Sequence, residues 1–141
     1  MLAVVRESFA ELEDRLRAAV AAAGDPRERL FACANAYLRF AQEHPERYRS
    51  TFGGLWMPTL QDSSVTRDDV ATLGDACTEL ITATLDDCAT SGQATSTDTH
   101  ADAVAPWLGL HGLAHQRAVT VAFPWPPDIA DRVITALAHL R

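Results

Sequence analysis

The sequence predicts an all-α fold, a bundle of five main helices plus one short helix, and three observations carry the prediction. Apolar residues recur at helical spacing along nearly every segment. No segment shows period-two alternation flanked by hairpin turns. Glycine, proline and capping residues fall where the helical patterns stop. The 141 residues, 48% hydrophobic and 22% charged, suit a single domain, residues 1–141, large enough to bury most of its apolar surface.

The first helix, over 2–23, places Leu2, Val5, Phe9, Leu12, Leu16 and Val20 on one stripe. It ends at Gly24. Asp25 is then a good N-cap, and Pro26 a good first-turn residue, for a second helix over 26–44. That helix carries Leu30, Phe31, Ala34, Tyr37, Leu38 and Ala41, and stops at His44-Pro45 because a residue before proline is steered out of the helical region. The short helix covers 46–52. An apolar loop or turn around Trp56 and Met57 follows. Thr66 caps a long helix over 66–90, with Val70, Leu73, Cys77, Leu80, Ile81, Thr84, Leu85 and Cys88 inward. The polar tract at 90–99, T-S-G-Q-A-T-S-T-D-T, reads as a mobile linker. Helices over 100–122 and 128–140 complete the bundle.

Charge and composition exclude several functions. Residues 1–61 balance eight Arg against eight acids, whereas residues 62–102 set nine acids against Arg67 alone. An acidic chain without a basic stripe cannot neutralise phosphates, so this chain is not itself expected to bind nucleic acid. Every basic side chain is Arg, which removes Schiff-base and P-loop lysine chemistry. Cys33, Cys77 and Cys88 lack C-x-x-C pairing and read as buried, reduced thiols. No apolar run is long enough to cross a bilayer and the start lacks a signal-peptide core, so no membrane partner and a cytoplasmic location are expected.

The stretch W-L-G-L-H-G-L-A-H-Q-R-A, Trp107 to Ala118, holds the densest chemistry. Trp107, His111 and His115 recur every four residues and stack along one helix face. The H-x-x-x-H spacing is competent for zinc, with Glu79 or Cys77 as a third ligand. A metalloprotease, however, would need glutamate where Gly112 stands. A small helical metal-binding protein or enzyme using His111 and His115 is therefore the alternative reading. The preferred one gives no metal, no cofactor and no catalysis. Ser63, Ser64 and Ser91 have no nucleophile elbow around them, nothing in the sequence brings Cys33 or Cys77 to His111, and Asp68-Asp69 and Asp86-Asp87 point apart on a helix.

Helices 100–122 and 128–140 are apolar on more than one side, and such helices must be covered all round. Gly109 and Gly112 let a neighbouring helix approach. An isologous homodimer is expected, with Gly109, Gly112, Gln116, Val119, Ile129, Val133 and Leu137 in its interface.

The helix W-L-G-L-H-G-L-A resembles the Trp-x-x-x-His-Gly signature of one group of TetR-type, tetracycline-repressor-like transcriptional regulators, in their C-terminal domain. The segment Leu30 to Gly53, with F-A-Q-E-H-P-E-R-Y-R-S-T-F-G, is similar to that group's Y-x-x-F-A-x-x-H-P-E-x-Y-x-x-x-F-G pattern. The Phe-Pro-Trp turn before the last helix matches too, so the resemblance covers nearly the whole chain. It implies an effector-binding and dimerisation domain that senses an apolar or aromatic small molecule. It also implies a DNA-binding helix-turn-helix domain that is absent from this chain, so DNA is a partner of the full-length regulator only. The arrangement would gather Phe9, Phe40, Tyr48, Phe52, Trp56, Met57, Trp107 and His111 around a pocket of the usual mostly apolar kind. Pro106 departs from the pattern, and either kinks this helix or makes Trp107 its effective second residue.

Overall fold

Two helices joined by a three-residue turn start the bundle, and the turn's chemistry sets their entry angle. In the computed structural model, which describes residues 2–46, 48 and 75–141 with side chains from Arg6 onward, α1 spans Leu2–Ala22 and α2 spans Pro26–Glu43. Asp25 caps α2 from an extended backbone, its carboxylate accepting the Arg27 and Glu28 N–H groups at 3.1 and 3.4 Å. Pro26 sits at the first helical position, where its missing N–H costs nothing. At the far end His44 leaves the helical region just before Pro45, as the pre-proline restriction requires.

The α3 helix, Asp75–Thr90, turns Cys77, Ile81, Thr84, Leu85 and Cys88 inward. The buried Thr84 hydroxyl is satisfied by donating to the Leu80 carbonyl at 2.7 Å. Leu12 and Leu16 of α1, Leu30, Cys33, Tyr37 and Phe40 of α2, and Leu85 of α3 form the dry centre, each at most 1% exposed. A four-residue α4, Thr99–Asp102, then leads into α5, Val104–Val119, and α6, Ile129–Leu137. α2 touches α1, α3, α5 and α6 and is the axis of the fold. Among the described residues the all-α expectation holds, with a lone β-bridge between Ala94 and Leu140.

Three sequence expectations need correcting. The helix over 100–122 is two helices meeting at Ala103, and the second stops at Val119. A continuous helix would set the Pro106 ring against the carbonyl of residue 102 and leave that carbonyl without its N–H. Breaking at Ala103 places Pro106 third in α5, where no N–H has an intrahelical partner, so Trp107 is the fourth residue of this helix rather than its second. The last helix ends at Leu137 rather than 140. His139 adopts a left-handed φ of 54°, and Leu140 N–H reaches back to the Thr135 carbonyl at 3.1 Å, the Schellman closure.

The polar tract at 90–99 is tied down rather than loose. Gly92 at φ 77° closes α3, with Gln93 N–H on the Cys88 carbonyl at 2.7 Å and Gly92 N–H on that of Ala89 at 3.1 Å. The Gln93 amide donates to Asp25 at 2.8 Å and accepts the Arg27 N–H at 3.1 Å. Arg141 N–H binds the Gln93 carbonyl at 2.9 Å, and Arg27 binds the Arg141 carbonyl at 2.7 Å. One glutamine thus joins the α1–α2 turn, the α3 terminus and the last residue. Gly92→Ala puts a Cβ into a left-handed position and should cost about 1 kcal/mol, read as a lower urea midpoint with an unchanged m-value.

The short helix over 46–52 and residues 66–74 of the third helix fall largely or wholly outside the described residues. Tyr48 is described, its N–H on the His44 carbonyl at 2.8 Å.

Candidate ligand site

The inner face of α5 meets α2 through rings. Tyr37 of α2 is fully buried, its ring centroid 5.2 Å from Trp107 and 5.1 Å from His111. Trp107 and His111, one helical turn apart, lie 4.4 Å apart edge to face. Tyr48 approaches Tyr37 at 6.4 Å, also edge to face. Offset and T-shaped arrangements of this kind are favoured by ring quadrupoles. The helical repeat of α5 aims Trp107 and His111 inward beside buried Leu110 and Ala114.

The polar atoms of the cluster are uncharged. Tyr48 O–H donates to the His111 carbonyl at 3.2 Å, pinning Tyr48 to the middle of α5. His111 Nδ1 lies 2.9 Å from the Trp107 carbonyl. A carbonyl only accepts, so Nδ1 carries the proton. Burial pushes the imidazole below its ordinary range, against a smaller opposing pull from that carbonyl, and His111 is neutral at pH 7. Burial likewise raises the phenols of Tyr37 and Tyr48. The unfolded chain therefore protonates residue 111 first as pH falls through about 6.5. His111 costs no stability above that pH and progressively more below it. Chemical unfolding at a series of pH values should show the wild type losing stability below pH 6.5 faster than His111→Phe, and equal slopes would refute the neutral, buried imidazole.

Of the residues expected to line a pocket, the structure brings together Tyr48, Trp107 and His111. Phe40 is buried but turns toward α1, with the Arg15 guanidinium 5.7 Å and the His44 ring 5.5 Å from its own ring. Phe9 is half-buried against the core from α1. Phe52, Trp56 and Met57 lie outside the described residues. Tyr37 was missed. Its signal was a phenol in the middle of the α2 apolar stripe, where a buried hydroxyl has to be accommodated.

The outer face of α5 is different in kind. Val104, Leu108 and Val119 are 43%, 63% and 61% exposed, and with Gly112 and His115 they occupy one side of the helix. A Cβ at Gly112 would meet nothing within 4 Å. Gly109 faces its own chain instead, where a Cβ would lie 2.5 Å from Leu137 Cδ1 and 2.9 Å from Val133 Cγ1. Its missing side chain lets α6 pack against α5 within the subunit. Gln116 is exposed, and Ile129, Val133 and Leu137 are half-buried.

Other chemistry finds little support. Cys33 and Cys77 are pushed up to about 12 and Cys88 to about 11, chiefly by burial, which keeps each thiol protonated and weakly nucleophilic at neutral pH. His111 commits Nδ1 to a carbonyl, His115 is exposed, Glu79 is exposed and Cys77 is buried. Among the described residues no three His, Cys, Asp or Glu side chains converge as metal ligands, and no helix is long and apolar enough to cross a membrane.

The α-helical bundle, with its aromatic inner cluster and exposed apolar face, is matched by known proteins. The family profile "Tetracyclin repressor-like, C-terminal domain" matches residues 30–140. The chain belongs to this family of TetR-type C-terminal domains. It is similar to a solved protein of unknown function from Rhodococcus sp. RHA1, with a TM-score of 0.75 at 25% identity over 97% of this chain and 66% of that one. A tetR-family bacterial regulatory protein from Rhodococcus RHA1 gives 0.69 at 20% identity, over 99% of this chain and 71% of that one. The second likeness shows the shared fold. This chain spans about two thirds of the length of the first relative. No curated protein matches significantly.

Proposed function

We propose that this chain is the effector-binding and dimerisation domain of a cytoplasmic bacterial transcriptional regulator. It senses an uncharged aromatic or apolar small molecule and catalyses nothing. DNA is contacted by a separate helix-turn-helix domain of the kind TetR-type regulators carry. The observation that supports the reading is the Tyr37–Trp107–His111 cluster, three rings in tilted and edge-to-face contact, with neutral polar atoms, where α2 meets the inner face of α5. An anionic effector would lose its hydration there without gaining a counter-ion from these rings, whereas a neutral aromatic would gain ring contacts.

The outer face of the same helix supplies the dimer contact. A ligand that favours one packing of α5 against α2 thereby biases the geometry between subunits, and it acts only through its differential affinity for the two packings. A panel of neutral aromatic compounds should contain ligands that raise the melting temperature of the chain. These should bind Trp107→Leu about tenfold more weakly. Ligands whose affinity is indifferent to both His111→Phe and Trp107→Leu would move the effector site elsewhere.

A further inference from the structure

Away from the aromatic cluster, α2 passes the C-terminal end of α5 and the start of α6, and two adjoining cavities of about 380 and 250 Å³ open between them. Leu38, Gln42 and Arg117 form the wall they share. The larger is polar, continuing past Asn35 and Arg39 to Asp128 and Asp131. The smaller is aliphatic, lined by Ala41, Pro45, Ala114, Ala118 and Val121. Together they make one amphipathic groove with Arg117 at the junction.

The charges around that junction leave an excess of cation. Arg117 is half-buried and has neither ion pair nor hydrogen bond among the described residues. Arg39 stands one turn before Glu43, but the Glu43 carboxylate is held by Arg15 at 2.9 Å on the other side of α2. Across the groove Asp128 is engaged by Arg132 at 2.9 Å. Among the described residues lining the groove, Asp131 alone is left to oppose Arg39 and Arg117. A partly desolvated guanidinium without a partner is costly, and its planar fork suits a carboxylate.

We propose that this groove binds an amphiphilic carboxylate. Its head lies on Arg117, assisted by Arg39 and the Gln42 amide. Its aliphatic tail runs along Ala114, Ala118 and Val121. A single negative charge fits better than a phosphate dianion, which would face Asp131 at twice the charge. The groove is lined by none of Tyr37, Trp107 and His111, so it and the proposed aromatic effector site can each hold one molecule.

Decanoate titrated into the full chain, followed by calorimetry and by the methyl resonances of Ala118 and Val121, tests the assignment. Binding should shift those methyls, weaken about tenfold in Arg117→Gln, and persist in Tyr37→Phe and His111→Phe. Decanol and acetate, each lacking one half of the match, should bind more weakly than decanoate. Asp131→Asn should tighten decanoate binding, a gain that a folding defect cannot produce. The assignment is overturned if Arg117→Gln binds decanoate like the wild type, or if acetate or inorganic phosphate binds as well as decanoate. Resonance shifts confined to Trp107 and His111 would overturn it too while leaving the effector reading intact.

Discussion

Replacing Tyr37 with alanine should cost the chain about 4 kcal/mol of folding stability, the range found when a large buried ring is deleted. Tyr37 is 0% exposed, and its ring is in contact with Trp107 and His111 of α5 and with Tyr48 beyond α2. The variant therefore loses the transfer free energy of the ring and leaves a void that three neighbours can close only by moving α5 against α2. A domain of this kind has only about 5–15 kcal/mol in hand, so urea unfolding should show a midpoint lowered by a large fraction of its value. Tyr37→Phe keeps the ring and its packing and should cost far less than Tyr37→Ala. If Tyr37→Ala unfolds within about 1 kcal/mol of the wild type, the α2–α5 aromatic contact is not part of the core.

The same residue shows where reading the sequence runs out. Local rules were legible because each depends on a few neighbours: Asp25-Pro26 starts a helix, His44-Pro45 ends one, and Gly92 can turn left-handed wherever it stands. The motif helix was legible for Trp107 and His111 because residues four apart share a face whatever packs against them. Which residue of α2 meets that face depends on the crossing of two helices, and spacing within one helix says nothing about it. Tyr37, though plainly on the inward stripe, was passed over in favour of Phe40, which turns to Arg15 and His44 instead. Gln93 is a similar case. A polar tract reads as loose until the α1–α2 turn that its side-chain amide binds is brought to it, and those partners are 66 and 68 residues away. Gly109 had the right physics, a close helix approach, but the helix that approaches is α6 of its own chain.

That reassignment sharpens the expected dimer. With Gly109 facing α6 of its own chain, we propose that, among the described residues, the stripe of Val104, Leu108, Gly112, His115 and Val119 meets a second copy. Apolar residues exposed to 43%, 63% and 61% in one row form a contiguous patch of the kind that marks an interface. Gly112 flattens the stripe at its middle, so two antiparallel copies of α5 can cross closely there under two-fold symmetry. Symmetry also doubles any insult. Leu108→Glu places one carboxylate from each subunit in the contact, where burying an unpaired charge costs several kcal/mol. The wild-type chain should sediment as a dimer and Leu108→Glu as a monomer, with dissociation favoured about a hundredfold or more. Ala83→Glu, the same charge change at an exposed position of α3, should leave the dimer intact. A wild type that stays monomeric at high concentration, or a Leu108→Glu variant that associates normally, would remove this face as the interface. The link between effector binding on the inner side of α5 and subunit geometry on the outer side would then go with it.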